Sequence, residues 1–232
     1  MLYSQIVGQK EPKHRLLKMV KEERVPHALL FAGKEGSGNL PAAVAFAQHL
    51  YCKNKTEEGA CGACTSCNKV SKLIHPDLHL VFPIAKSKDV KSSNDLVKEF
   101  REAFLDNPYI SLNDWFNELS AENKQPIIPV EEANDILKKL SYTSYEGSYK
   151  IMIIWQPEKM NAESANKLLK ILEEPPEKTI FVLVSNHTEQ LLATIISRVQ
   201  QIPFYNCSEQ EISEALIANY KVNAEVARQT AI

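Results

Sequence analysis

Eight residues outline a phosphate-binding loop. Gly33-Lys34-Glu35-Gly36-Ser37-Gly38-Asn39-Leu40 keeps the glycines of the pattern G-x-x-x-x-G-K-[ST] and departs from it at its last two places. Gly33, Gly36 and Gly38 leave the backbone free to turn tightly and aim N–H groups inward. Asn39 stands where a lysine would offset β- and γ-phosphate charge. Leu40 stands where a hydroxyl would hold magnesium. ATP is therefore not expected to bind productively. An ordinary glycine turn is the competing reading, and the flanks argue against it. His27–Ala32 is an apolar run of strand length, and from Pro41 the residues Ala43, Val44, Ala47 and Leu50 share one helix face.

A second constellation is sulfur. Cys52, Cys61, Cys64 and Cys67 follow the spacing C-x8-C-x2-C-x2-C. Cysteines this close do not easily pair with one another, and four thiolates around a tetrahedral Zn²⁺ are the better solution. Four protein ligands leave no open position, so the zinc would be structural. An iron–sulfur centre competes, because Cys61, Cys64 and Cys67 match the first three ligands of a ferredoxin run. Its fourth ligand would fall at position 71, which is Ser71. Free or oxidised thiols are the third reading. Cys207 stands alone and reads as a small core or surface residue.

These groups need elements to hold them. Residues 8–24 read as an amphipathic helix with Leu16, Leu17 and Val20 on its apolar side. Leu78–Phe82 reads as a short strand. Residues 84–125 look polar, with a lysine-rich loop at 86–91 and helical patches at Leu96–Leu105 and Leu112–Leu119. A helix is expected near Val130–Leu140. Tyr149–Trp155 and Thr179–Val184 are continuous apolar runs, as expected of parallel strands buried on both faces. Gln156-Pro157 stands where a phosphate-loop ATPase carries acidic residues for magnesium and water, and Glu158 is badly placed to replace them. A helix spans Asn161–Glu174 until Pro175-Pro176 stops it. Asn186, just past a strand end, faces the side where open α/β sheets bind ligands. Gln201–Phe204 is a last short strand. Helices around Glu209–Asn219 and Asn223–Thr230 suggest a small appended unit, entered through the capping box Ser208/Glu211.

Composition excludes several classes. Of 232 residues 44% are hydrophobic and 24% charged, with a formal net charge of −2. No large basic field marks a nucleic-acid binder. No run nears the roughly 18 apolar residues of a membrane span, and the first residues lack the blocks of a signal peptide. A cytoplasmic protein with reduced thiols and no membrane partner is the expectation.

Taken together, Ile6-Val7-Gly8-Gln9, Pro26-His27-Ala28, the glycine loop, the four cysteines, the run from Asn166 to Pro176 and Ser197-Arg198 resemble the delta-prime family of bacterial DNA polymerase III clamp-loader subunits, within the AAA+ class. The resemblance covers about 1–82 and 127–232; residues 83–126 fit poorly and look like a lineage-specific insertion. It implies an α/β fold: a three-layer phosphate-loop domain with a parallel sheet over about 1–203, a zinc module inserted at about 51–72, and the start of a helical lid at 204–232. It also implies an oligomerisation domain that this sequence lacks. The family's role implies a subunit that does not hydrolyse ATP. Its partners would be gamma or tau and delta subunits, with primer-template DNA and the sliding clamp met through the assembly. Ser197-Arg198 resembles the family's Ser-Arg-Cys motif, whose arginine reaches a neighbour's γ-phosphate; Val199 departs from it. Asn186 matches a sensor position. Arg198 as a helix-capping surface arginine and Asn186 as a loop hydrogen-bonder are the plainer readings. A gamma- or tau-like ATPase subunit with a weakened site is the alternative function.

Overall fold

The structure, a computed structural model, describes residues 1–142, 144–146 and 149–231. Among them, five strands form one parallel sheet: β1 (Ala28–Ala32), β2 (Leu78–Val81), β3 (Lys150–Trp155), β4 (Thr179–Ser185) and β5 (Gln200–Pro203), in the order β2-β3-β4-β1-β5. Every residue of β3 and β4 is buried, which is why both read as unbroken apolar runs. The pairings Ala32↔Ser185, Trp155↔Val184 and Ala32↔Pro203 bring the carboxyl ends of β1, β3, β4 and β5 level. The loops that leave these ends therefore meet at one edge.

Helices cover both faces. Residues of α1 (Lys10–Lys21), α2 (Asn39–Tyr51), α3 (Thr65–Ser71), α4 (Val97–Asp106) and α5 (Leu112–Glu118) share a core with Leu29, Phe31, Ile153 and Val182 of the sheet. Residues of α6 (Val130–Ser141), α7 (Ala162–Glu173) and α8 (Ala193–Ile196) share another with Leu30, Met152, Ile154 and Leu183. Alternate residues along each strand serve opposite cores, as a pleated strand dictates. The three-layer α/β expectation is met. After β5 come α9 (Glu209–Tyr220), opened by the expected Ser208/Glu211 capping box, and α10 (Ala224–Thr230). They occupy the range expected for a lid, 204–232, of which Ile232 lies outside the described residues.

The polar reading of residues 84–125 does not survive. Phe100, Phe104, Ile110, Trp115 and Phe116 are buried in the same core as β1 and α2. Phe82 stacks on Phe100 with ring centroids 4.0 Å apart, and Trp115 meets both edge-on at 5.3 and 5.2 Å. The Trp115 indole N–H donates to the Pro83 carbonyl at 2.8 Å, so the ring is buried with its polar atom satisfied. Glu132, fully buried near the start of α6, accepts from the Ser93 N–H at 2.7 Å and the Ser93 hydroxyl at 2.8 Å. Charged residues dilute the apolar ones in this stretch, and their helical spacing carries more information than their proportion.

Two expected outcomes follow. Trp115→Ala lowers the unfolding free energy by about 3–5 kcal/mol, the range for an aromatic ring removed from a core, and denaturant unfolding reads it. The second concerns pH. Burial first, then Lys55, pushes the His49 imidazole down from 6.5 to about 4, and burial first, then Lys139, does the same to His79. Both rings stay neutral in the fold and take up protons more readily when it opens. Their contribution is therefore present above pH 6.5 and is lost as the pH falls toward 4. The thermal midpoint declines over that window, and His49→Gln flattens the decline.

Candidate functional site

The glycine loop connects β1 to α2, as its pattern requires. Gly36 and Gly38 have φ of +78° and +83°, left-handed values that admit glycine without strain. Gly38 is the N-cap of α2, and the helix begins at Asn39. Asn39 is buried and points across the sheet edge. Its amide donates to the Gly33 carbonyl at 3.2 Å, the Ser185 carbonyl at 3.4 Å and Asn186 Oδ1 at 3.0 Å. Its own oxygen accepts from the Leu40 N–H at 2.9 Å. The side chain that replaces the lysine thus ties the loop to the end of β4. The structure brings Gly33, Asn39 and Asn186 together directly. Lys34 is exposed, and Ser37 Oγ is buried without a hydrogen-bond partner among the described residues.

The corner after β3 has also changed its chemistry. Gln156 takes a left-handed backbone (φ 57°), and its N–H bonds to the Val184 carbonyl at 2.8 Å. Glu158 turns toward the loop after β4, where one carboxylate oxygen accepts from the N–H groups of Asn186 and His187, both at 3.1 Å. Glu158 therefore holds the backbone of Asn186. The sequence alone gave no sign of this task.

The four cysteines converge. Cys52 caps the end of α2, Cys64 caps the start of α3, and Cys67 lies within α3. All four Sγ atoms lie within 4.8 Å of one another, and those of Cys61 and Cys67 are 3.9 Å apart. Sulfurs bound at about 2.3 Å around a tetrahedral zinc sit about 3.8 Å from each other. The donor set and its spacing therefore fit a structural Zn²⁺ held by Cys52, Cys61, Cys64 and Cys67. The Cys61 N–H donates to Cys52 Sγ at 3.2 Å, the kind of outer hydrogen bond that stabilises a thiolate ligand. Against the burial that opposes it, backbone N–H groups of Cys67 and Lys53 pull the Cys64 thiol down to about 6. Burial pushes the Cys52 thiol up. Gly59 (φ +119°) is needed for space as well as for its turn, since a Cβ there would come within 2.8 Å of the Tyr3 ring. Lys55 donates to the Cys52 carbonyl at 2.9 Å, whereas Lys69 is taken by Glu146.

Ser197 and Arg198 follow α8, and among the described residues their hydrogen bonds and ion pair go to Thr194, Glu173 and each other. The Arg198 guanidinium pairs with Glu173 at 2.8 Å and donates to the Thr194 carbonyl at 2.9 Å and Ser197 Oγ at 3.2 Å. Sequence reasoning missed Glu173 as this partner. The two are distant in sequence, and only the packing of α7 beside α8 reveals the pair. It also missed Tyr109, whose hydroxyl accepts from the Val7 N–H at 2.9 Å at the loop's edge. Cys207 reaches the Val7 carbonyl at 3.6 Å.

Metal analysis of the purified chain is expected to give one zinc and no visible absorbance. Cys64→Ser loses most of that zinc, and its thermal midpoint drops by roughly 5 °C or more, since structural zinc contributes directly to folding. A variant that keeps both its metal and its midpoint refutes the structural-zinc assignment.

Comparison with known proteins agrees with this geometry. A family profile described as "DNA polymerase III, delta subunit" matches residues 8–208. The delta' subunit of DNA polymerase III from Bacillus subtilis is 32% identical over 204 residues, 87% of this chain and 49% of that protein. The delta' subunit from Pseudomonas aeruginosa is 27% identical over 175 residues, 75% of this chain and 42% of that protein. The tau subunit of Bacillus subtilis is 26% identical over 210 residues, 90% of this chain and 30% of that protein. The chain thus spans half or less of the length of these relatives. Among solved structures, the Thermotoga maritima RuvB Holliday junction branch migration motor superposes with a TM-score of 0.55 at 14% identity, over 99% of this chain and 58% of that one, which is a likeness of fold. No helix among the described residues is long and apolar enough to cross a membrane. With its profile matched from Gly8 to Ser208, the chain belongs to the DNA polymerase III delta-subunit family, alongside the delta' subunits it resembles.

Proposed function

We propose that this chain is the AAA+ portion of a delta'-type clamp-loader subunit, one that assists loading of the sliding clamp in DNA replication without hydrolysing ATP itself. The observation that carries this reading is the bonding of Asn39. An amide that donates to Gly33, Ser185 and Asn186 holds the loop closed from within. It carries no cation for a triphosphate, and Leu40 beside it carries no hydroxyl for magnesium. One carboxylate oxygen of Glu158 is committed to the backbone N–H groups of Asn186 and His187.

The remaining chemistry acts in trans. Arg198 lies at the protein surface, with its guanidinium held by Glu173, Thr194 and Ser197. An arginine so held keeps a planar, always-charged group ready for a phosphate on an adjacent subunit. Ser197 serves as a positioning residue. The partners under this reading are gamma or tau and delta subunits, with primer-template DNA and the clamp reached through the complex, in the cytoplasm. The four-cysteine site holds structural zinc and takes no part in chemistry.

Titration of the chain with MgATP in a calorimeter separates the two clamp-loader readings: no binding heat is expected, and micromolar affinity would favour a gamma- or tau-like ATPase subunit. In a loader reconstituted with the full-length subunit, Arg198→Ala is expected to cut turnover at the adjacent ATPase site by on the order of 10³-fold. Assembly, read by size-exclusion chromatography, stays intact. Unchanged ATPase activity removes the finger assignment.

A further inference from the structure

We infer that the turn Asn107–Ile110 is an internal occupant of the phosphate-loop cleft, with the Tyr109 side chain filling the space beside Gly38 and so barring nucleotide from the loop. The inference rests on the non-binding reading above and deepens it: the loop is closed by added material as well as by lost side chains.

The local sequence builds this turn. The Asn107 N–H ends α4 on the Ala103 carbonyl at 2.9 Å. Asn107 then accepts twice, its side chain from the Tyr109 N–H and its carbonyl from the Ile110 N–H, both at 3.0 Å. Asparagine at the first turn position and proline at the second are the residues that such a turn favours. Ser111 and Asp114 start α5 with a reciprocal capping box. The turn is therefore held between two helices anchored by Phe100, Phe104, Trp115 and Phe116 in the main core. Ile110, at its end, is also buried there.

Its placement is specific. The Tyr109 hydroxyl takes the Val7 N–H, a backbone donor on the opposite wall of the cleft. A Cβ added to Gly38 would lie 3.2 Å from Ile6 Cγ2, 3.3 Å from the Tyr109 ring and 3.7 Å from its hydroxyl, so Ile6 and Tyr109 leave little more than a methyl's width beside the loop. Pro108 and Tyr109 line two spaces at once. Outside them is an open groove of about 1300 Å³ bounded by the N-terminal segment, the first half of the loop from Lys34 to Ser37, and α9. Inside, between the turn and Gly36, Gly38, Asn39, Trp155 and Asn186, only about 10 Å³ remains. That volume holds about one water. A nucleotide entering the outer groove meets the tyrosine before its phosphates reach the N–H groups of Gly38 and Asn39.

The test uses four chains: wild type, N39K/L40T, Y109A and N39K/L40T/Y109A. Zinc content and thermal midpoint check that each is folded, and each is titrated with MgATP by calorimetry. N39K/L40T is expected to bind at least tenfold more weakly than the triple variant. Equal affinity of these two, or no binding by either, overturns the inference. Binding by wild type instead defeats the non-binding reading, and the tyrosine is then judged by Y109A in that background, where unchanged affinity again overturns the inference. A gentler variant guards against misfolding. Y109F keeps the ring and deletes the acceptor, so hydrogen exchange at the Val7 amide is expected to quicken by roughly fivefold. Unchanged protection shows that Tyr109 does not hold that amide and overturns the placement.

Discussion

A glycine loop that runs from the end of a parallel strand into a helix leaves oriented N–H groups and a positive helix end in a crevice. That field has to be met by an anion or by the protein. Here the protein meets part of it from within: the Asn39 side-chain oxygen accepts from the Leu40 N–H at 2.9 Å, while its amide ties the loop to neighbouring carbonyls. Asn39 is 5% exposed and bonds to the loop, to the end of β4 and to Asn186. A lysine at this position without a triphosphate would be a buried, unpaired charge, costing several kcal/mol. Each neutral hydrogen bond contributes only about 0.5–1.5 kcal/mol net, but it carries no such penalty. Once phosphate is absent, the amide is the more stable choice and the lysine the less stable one.

The other changes at this edge follow the same logic. One Glu158 carboxylate oxygen accepts backbone N–H groups and fixes Asn186 in place for Asn39 to meet; on the proposed reading there is no magnesium to compete for it. The surviving arginine lies outward, at the end of α8, where its charge stays solvated and paired with Glu173. An exposed pair of this kind contributes little to stability, typically under about 1 kcal/mol. On the proposed reading its value lies in orientation: a guanidinium fixed by three partners presents its remaining face in one direction.

Much of this was legible from residue order. The apolar runs of β3 and β4, the glycine loop between β1 and α2, and the cysteine spacing each encode local geometry, and the structure reproduces them. Three relationships were not legible, the hold of Glu158 on the Asn186 backbone among them. Tyr109 meets Val7 across about a hundred residues of sequence, and no periodicity reports a contact of that kind. The stretch around it also looked polar, because Lys98, Glu99, Arg101 and Glu102 surround the phenylalanines of α4. Helical spacing places Phe100 and Phe104 on one face, and both are buried. Glu173 beside Arg198 was hidden for a simpler reason. The acidic residues that end α7 looked like a helix terminus until α8 was seen packed alongside.

A ligand moves a conformational equilibrium only as far as its affinities for the two states differ. An ATPase subunit derives its motion from a cleft that closes differently around tri- and diphosphate. In this chain the inner cleft retains about 10 Å³, with the Leu40 N–H taken by the Asn39 oxygen and the Val7 N–H by the Tyr109 hydroxyl. If nucleotide does not bind, as proposed, it has no differential grip on the angle between the sheet domain and the helices after β5. On the proposed reading, the energy that moves the assembly must enter at neighbouring subunits, and this one contributes a fixed surface and an oriented charge. Rigidity is useful for that role, because a finger arginine acts only when its backbone holds still while the neighbour's phosphate changes. The aromatic cluster of Phe82, Phe100 and Trp115 and the four-cysteine site stiffen two separate flanks of the same sheet.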